Sequence, residues 1–256
     1  MHTTYVGMLG VLSIVLGACR DPGSSVIPEA RADEPGRAVV LELFTSEGCS
    51  SCPPADAVLA DLSSDRRVFA LSFHVDYWDE LGWPDPFSSP DNTARQRAYA
   101  SSFRSRELYT PQLVVGGVDG FTGSDRSHAE SDIARTLGRP TSATLSLTVQ
   151  TQSERWIGVE TNPTGAPPGS VVHVALVQRS ATIQVGAGEN SGRTLRHVNV
   201  VLGFATATAA GPGAVRVRLP PGLRGQDAEI IAFVQAPADS TGGMPILGAA
   251  RANVGP

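Results

Sequence analysis

Leu43-Phe44-Thr45-Ser46-Glu47-Gly48-Cys49-Ser50-Ser51-Cys52-Pro53-Pro54 is the stretch on which the reading of this chain turns. An apolar run, residues 38–44, leads into a glycine-bearing turn and then into two cysteines spaced C-x-x-C. Two intervening residues let the sulfurs meet within the short Cβ separation that a disulfide demands. A helix starting just beyond them points unpaired N–H groups at the first sulfur and favours thiolate there. Paired thiols also bind zinc or copper. The sequence has no second C-x-x-C, so a four-cysteine zinc site cannot form within one chain. A static structural disulfide is the competing reading, but so short a loop staples little chain. Strand, C-x-x-C, helix therefore predicts a reversible redox pair, Cys49 and Cys52.

Outward from that stretch, the third cysteine, Cys19, follows an apolar run over residues 6–18 that ends Leu16-Gly17-Ala18. The run is too short for an ordinary membrane span and matches a signal-peptide core. Small residues before a cysteine resemble the box at which a bacterial lipoprotein is cut and lipidated. The alternative is a plain secretory signal cut nearby, since residues 1–5 carry no Lys or Arg. Both predict export to a compartment that permits disulfides. The expected location is the periplasm, with a membrane anchor at Cys19. Residues 20–37, rich in Pro, Gly, Ser and charge, read as a flexible tether. The whole chain, 256 residues with net charge −5, has room for a good core and two domains. Its 20 basic residues are all Arg, with no basic patch suited to nucleic acid.

Residues 38–44 predict a largely buried first strand, as in a parallel sheet covered on both faces. After the cysteines, Ala55, Val58, Leu59 and Leu62 mark one face of a helix. Pro54 biases Pro53 away from α, so the regular helix is expected from Pro54. Residues 68–75 predict a second buried strand, followed by a loop over 76–87 dense in aromatics and acids. Ser89-Pro90-Asp91 supplies a cap, a first-turn proline and an early acid for a second helix, with Ala94, Ala98 and Phe103 as its apolar face. Pro111 heads a short strand that turns at Gly116-Gly117 into a hairpin. Ser124 then caps a third helix, ended by Gly138 and Pro140. Strand, helix, strand, helix, hairpin, helix is the thioredoxin order.

Residues 44–56, Ser72-Phe73-His74-Val75-Asp76-Tyr77-Trp78 and Tyr109-Thr110-Pro111-Gln112 resemble the signature of an exported bacterial family. It is the thioredoxin-like family catalogued as domain of unknown function 1223, and the resemblance covers roughly residues 38–250. The glycine-rich stretch 186–194 belongs to the same resemblance; it lacks the lysine and strand-to-helix context of a phosphate loop. Thioredoxin-fold membership implies that Pro111 is cis and faces the cysteines. There it blocks metal capture and presents the Thr110 backbone to an extended substrate. It also implies that Cys49 is the more exposed, attacking sulfur and Cys52 the resolving one.

From residue 141 the pattern becomes short strands, near 143–150, 156–161, 171–178, 182–185, 195–204, 214–219 and 230–234, punctuated by Gly, Pro, Asn and Ser. That spacing suits a small antiparallel β-sandwich. The expected fold class is thus an α/β thioredoxin-like domain over 38–140, after a signal peptide (1–19) and tether (20–37), followed by a β-sandwich-like domain over 141–256.

Three function classes follow. In the first, an exported thiol–disulfide oxidoreductase, Cys49 and Cys52 exchange with protein or small-molecule thiols and disulfides and no cofactor is needed. His74, emerging beside the C-x-x-C, transfers protons or tunes the thiolate; Thr110, Tyr77 and Trp78 receive substrate. In the second, Cys49, Cys52 and His74 bind copper as a chaperone does. In the third, a binding module keeps the fold without the chemistry. His74 equally suits a polar pocket that shapes its loop. Arg193, His197 and Asn199 either face the site from the second half or make structural hydrogen bonds.

Overall fold

The computed structural model describes residues 1–2, 38–153 and 155–255. The signal-peptide, tether and Cys19 readings lie outside the described residues.

β1 (Val39–Thr45) is buried at every position, as a strand covered on both faces must be. β2 (Val68–His74) runs parallel to it, Thr45 opposite His74, so both strands end at the C-x-x-C. Between them α1 (Pro53–Leu62) begins one residue earlier than expected. Cys52 is its N-cap and both prolines sit in the first turn, where a missing N–H costs nothing. A 3-10 turn, Asp76–Leu81, occupies part of the aromatic loop. α2 (Pro90–Ser102) is capped by Ser89, whose hydroxyl accepts the Asp91 N–H. β3 (Gln112–Val115), antiparallel to β1, and β4 (Asp119–Thr122) form the hairpin. α3 (Arg126–Leu137) is capped by Asp125, one residue past the expected Ser124.

The second half corrects the fold class. It comprises β5 (Thr144–Ser153), β6 (Trp156–Thr164), β7 (Val171–Gln184), β8 (Thr194–Thr208), β9 (Gly213–Arg218), β10 (Ala228–Gln235) and β11 (Ile246–Asn253). The two short strands expected over 171–185 are one long strand, and β11 was not expected. β8 lies parallel beside β2, with Ser72 opposite Val200. The resulting order is β11-β10-β7-β8-β2-β1-β3-β4. A thioredoxin-like domain trailed by a separate sandwich domain is therefore overturned: a single mixed eight-stranded sheet runs through both halves. The physical reason lies in β2. Buried throughout, its outer edge needs backbone partners that water cannot supply. The cores merge across the same seam, for Val40, Phe44 and Phe73 share one cluster with Val177, Val201 and Phe233. β5, β6 and β9 form a separate three-stranded sheet that covers one face of the second half. Ile157 and Val159 pack there against Val174 and Ile230.

α2 shows why apolar periodicity misplaced its face. Ala94 and Ala98 are exposed; Asn92, Arg95, Gln96 and Tyr99 are buried. The cause is Glu42, in the middle of β1 and fully buried. Arg95 grips it with two charge-assisted hydrogen bonds, Nε to Oε1 at 2.9 Å and Nη2 to Oε2 at 3.0 Å. Its Nη1 reaches Gln235 Oε1 at 2.9 Å on β10, and Tyr99 O–H donates to Glu42. His173 on β7 lies in the same network, where burial and then the Arg95 charge push its imidazole down to about 3.

Candidate functional site

Cys49 and Cys52 form a disulfide with a Cα separation of 5.4 Å. Both are fully buried, which corrects the expectation of a more exposed Cys49. Only Ser50 and Ser51 between them reach solvent. Pro53 and Pro54 remove the first two helical N–H donors, and the next two, from Ala55 and Asp56, are spent on the Cys52 carbonyl at 2.8 and 3.1 Å. Helix α1 therefore points no free donor at the sulfurs from its first turn. The Ser51 hydroxyl lies 3.3 Å from Cys49 Sγ.

What buries the pair is the glycine-rich stretch between β7 and β8. Asn190, fully buried, donates its side-chain amide to the carbonyls of Glu47 (2.8 Å) and Cys49 (2.9 Å). Glu189 accepts the Ser50 N–H at 3.0 Å, and Arg193 braces Asn190 Oδ1 at 2.7 Å. Gly188, at φ +71°, passes its backbone over Trp83; a Cβ there would lie 3.2 Å from Trp83 Cβ. The loop thus forms a latch over the turn. Asn190 and Glu189 escaped sequence reasoning, although the stretch itself stood out.

Beside the disulfide turn lies a buried histidine–carboxylate cluster. His74, at the end of β2, places Nδ1 2.6 Å from Asp85 Oδ2. Asp85 also accepts the Glu47 and Phe87 N–H groups, both at 2.9 Å. Burial by itself lowers the His74 imidazole, but the Asp85 carboxylate more than reverses this and raises it above its ordinary value. Burial likewise pushes Asp85 up, yet His74 and the backbone donors hold it below the ordinary carboxylate range. The His197 ring, from β8, meets that of His74 at 4.7 Å between centroids. Its Nε2 lies 3.3 Å from Glu47 Oε1 and its Nδ1 3.8 Å from Asp56 Oδ2. Trp83 Nε1 donates to the other Glu47 oxygen at 2.7 Å. Asp56, one helical turn after Cys52, is raised by burial, which outweighs the neighbouring histidines. Glu47, Asp56, Asp85 and His197 act as one unit with His74, yet only the two histidines were singled out from sequence.

The remaining expected residues divide. The Thr110–Pro111 bond is cis. Pro111 backs onto Gly123, where a Cβ would come within 2.7 Å of Leu43 Cδ1 and 3.1 Å of Ala55, so glycine is required for this close approach. Thr110 reaches the turn through its carbonyl, 3.5 Å from the Ser51 hydroxyl, and accepts the Trp78 indole N–H at 2.8 Å on its side chain. Trp78 Cβ also packs on Gly48. Tyr77 donates to Gln96 on α2 at 3.2 Å, its hydroxyl lying beside the Thr110 side chain. Asn199 takes a left-handed φ of +46° on β8. His74 Nδ1 is committed to Asp85, its Nε2 has no hydrogen-bond partner among the described residues, and the two sulfurs are joined to one another in this structure.

A family model described as a protein of unknown function, DUF1223, matches residues 40–235. The chain belongs to that family. A solved protein from Agrobacterium tumefaciens, a structural genomics target, is similar to this DUF1223 chain at 26% identity. The match has a TM-score of 0.65 and covers 87% of this chain and 96% of that one. The shared architecture thus extends well past residue 140. HBP35 of Porphyromonas gingivalis is similar in fold at 18% identity and TM-score 0.64, over 86% of this chain and 76% of its own. No curated protein matches the DUF1223 chain.

Proposed function

We propose that this DUF1223 protein is an exported thiol–disulfide oxidoreductase whose working pair is Cys49 and Cys52. The observation that carries the reading is the placement of this short disulfide beside the buried groups His74, Asp56 and Asp85 and under a loop held to it by side-chain hydrogen bonds of Asn190 and Glu189. A purely structural cross-link gains nothing from either.

The step balances as follows. A substrate thiolate attacks Cys49 Sγ, the Cys49–Cys52 bond breaks, and the electron pair stays on Cys52 Sγ. Cys52, buried, must take a proton. Asp56, one turn along α1 and raised by burial, supplies it, and His197 hands on its replacement. A second substrate thiolate then attacks the substrate sulfur of the mixed disulfide, releasing a substrate disulfide and leaving Cys49 to take the second proton. Run in reverse, the dithiol reduces a substrate disulfide. The reduction potential of the pair sets the direction. Thr110 and Trp78 receive the substrate in this reading. Tyr77, Pro111 and His74 support the site from behind, and the lipidated Cys19 holds the protein at the periplasmic face of a membrane.

The test is equilibration of purified protein with glutathione redox buffers, scoring the pair by alkylation and mass. Cys52→Ser should trap mixed disulfides at Cys49, while Cys49→Ser should not. A pair that stays oxidised in every buffer, even when the latch is opened by Asn190→Ala, would remove the oxidoreductase reading.

A further inference from the structure

At the opposite end of β1 and β2 from the cysteines, a groove of about 1130 Å³ opens between the end of α3, the turn before β2, and β11. It is roomy beside the roughly 300–1,000 Å³ of pockets that hold drug-sized ligands. Its floor is apolar, with Phe69, Leu137 and Ile246 among the lining side chains. Its charge has one sign. Among the described residues, Arg66, Arg67, Arg139 and Arg251 line the groove and no Asp or Glu does, in a chain whose net charge is −5.

These guanidiniums are differently held. Arg67 is paired with Asp65, Nη2 to Oδ2 at 2.7 Å. Arg251 lies over the Phe69 ring, 5.0 Å from its centroid, which fixes a positive charge directly above the apolar floor. Arg139, exposed just beyond α3, forms no ion pair among the described residues. Apolar floor and cationic rim call for a ligand with the complementary division. The guanidinium fork matches a carboxylate in two parallel hydrogen bonds. A concave cleft also takes a monomeric chain rather than the flat face of a bilayer.

We propose that this groove binds a long-chain fatty acid, its acyl chain along Phe69, Leu137 and Ile246 and its carboxylate at the arginine rim, with Arg139 as the principal partner. No lining residue belongs to the disulfide site, so this binding is a second activity and stands or falls independently of the redox reading.

The test is calorimetric titration of the oxidised full chain with hexadecanoate below its micelle concentration, beside the uncharged hexadecan-1-ol. Saturable binding near micromolar Kd is expected, with the alcohol weaker by about tenfold or more. Arg139→Glu should weaken the acid by about tenfold or more, while Arg218→Glu, on β9 outside the groove, should not. Equal binding of acid and alcohol would overturn the proposal, as would an Arg139→Glu affinity within about twofold of the wild type. So would capture on phosphatidylglycerol vesicles without binding of the monomeric acid, because the surface would then be reading a membrane.

Discussion

Asn190 holds Cys49 from the far half of the chain: its side-chain amide donates to the Cys49 carbonyl at 2.9 Å and to that of Glu47 at 2.8 Å. A loop between β7 and β8 thereby closes over a turn at the end of β1. Access to the disulfide is thus set by tertiary contacts rather than by the C-x-x-C itself.

Asn190→Ala removes both bonds, leaving the Glu47 carbonyl without that donor and the Cys49 carbonyl with the Cys52 N–H at 3.2 Å, a loss of about 1–3 kcal/mol concentrated at the latch. Reduction of the Cys49–Cys52 bond by dithiothreitol should then speed up by about tenfold or more, read as alkylated thiols against time. An unchanged rate would mean that some other segment shields the sulfurs.

The His74–Asp85 pair makes stability depend on pH. His74 is raised in the folded state, so its contribution is complete below the ordinary imidazole value of about 6.5 and fades as pH rises through the higher folded value. Asp85 is lowered, so its contribution holds above the ordinary carboxylate value of about 3.9 and fades as pH falls beneath it. The Tm loss caused by Asp85→Asn should therefore be largest between about pH 4 and 6.5 and should shrink at alkaline pH. A loss that grows from pH 6.5 to 9 would contradict the pairing.

Arg95→Met strands Glu42 in the core and should cost about 3–5 kcal/mol in urea denaturation. Replacing both partners, Arg95→Met with Glu42→Leu, removes the uncompensated charge and should recover most of that loss. If the double variant is as weak as the single one, the other partners in the network carry the stability instead.

A fragment of residues 38–140 should not fold cooperatively by itself. Cutting there exposes the β2 edge and strips Phe73 of Phe204, its ring neighbour at 5.5 Å. Broad, poorly dispersed amide resonances are the expected outcome. A sharp native spectrum would show that the first half needs nothing from the second.

Much of the local structure was legible in the residues themselves. The apolar run at 38–44, the Ser89-Pro90 cap and the Gly116-Gly117 turn each act over a few positions, and each produced its element within a residue or two. The disulfide pair was visible for the same reason, since Cys49 and Cys52 lie three apart. His74 was placed at the site because parallel β1 and β2 end together.

What escaped depends on partners far along the chain. Periodicity of 2 or 3.6 says that β2 is buried but not which strand lies at its edge, and β8 completing that edge turned two expected domains into one sheet. The same limit hid the face of α2, because an arginine reads as solvent-facing until a buried carboxylate 53 positions away, Glu42, is known to meet it. Glu47 and Asp56 looked like ordinary acids beside the cysteines; only the return of β8 brings His197 between them. By itself, then, the sequence determined the segments, the turns and the sulfur pair, all governed by neighbours in the chain. Sheet continuity, the latch and the buried charge cluster were decided by tertiary structure, because edge pairing and desolvated charges are satisfied by whatever the fold brings near.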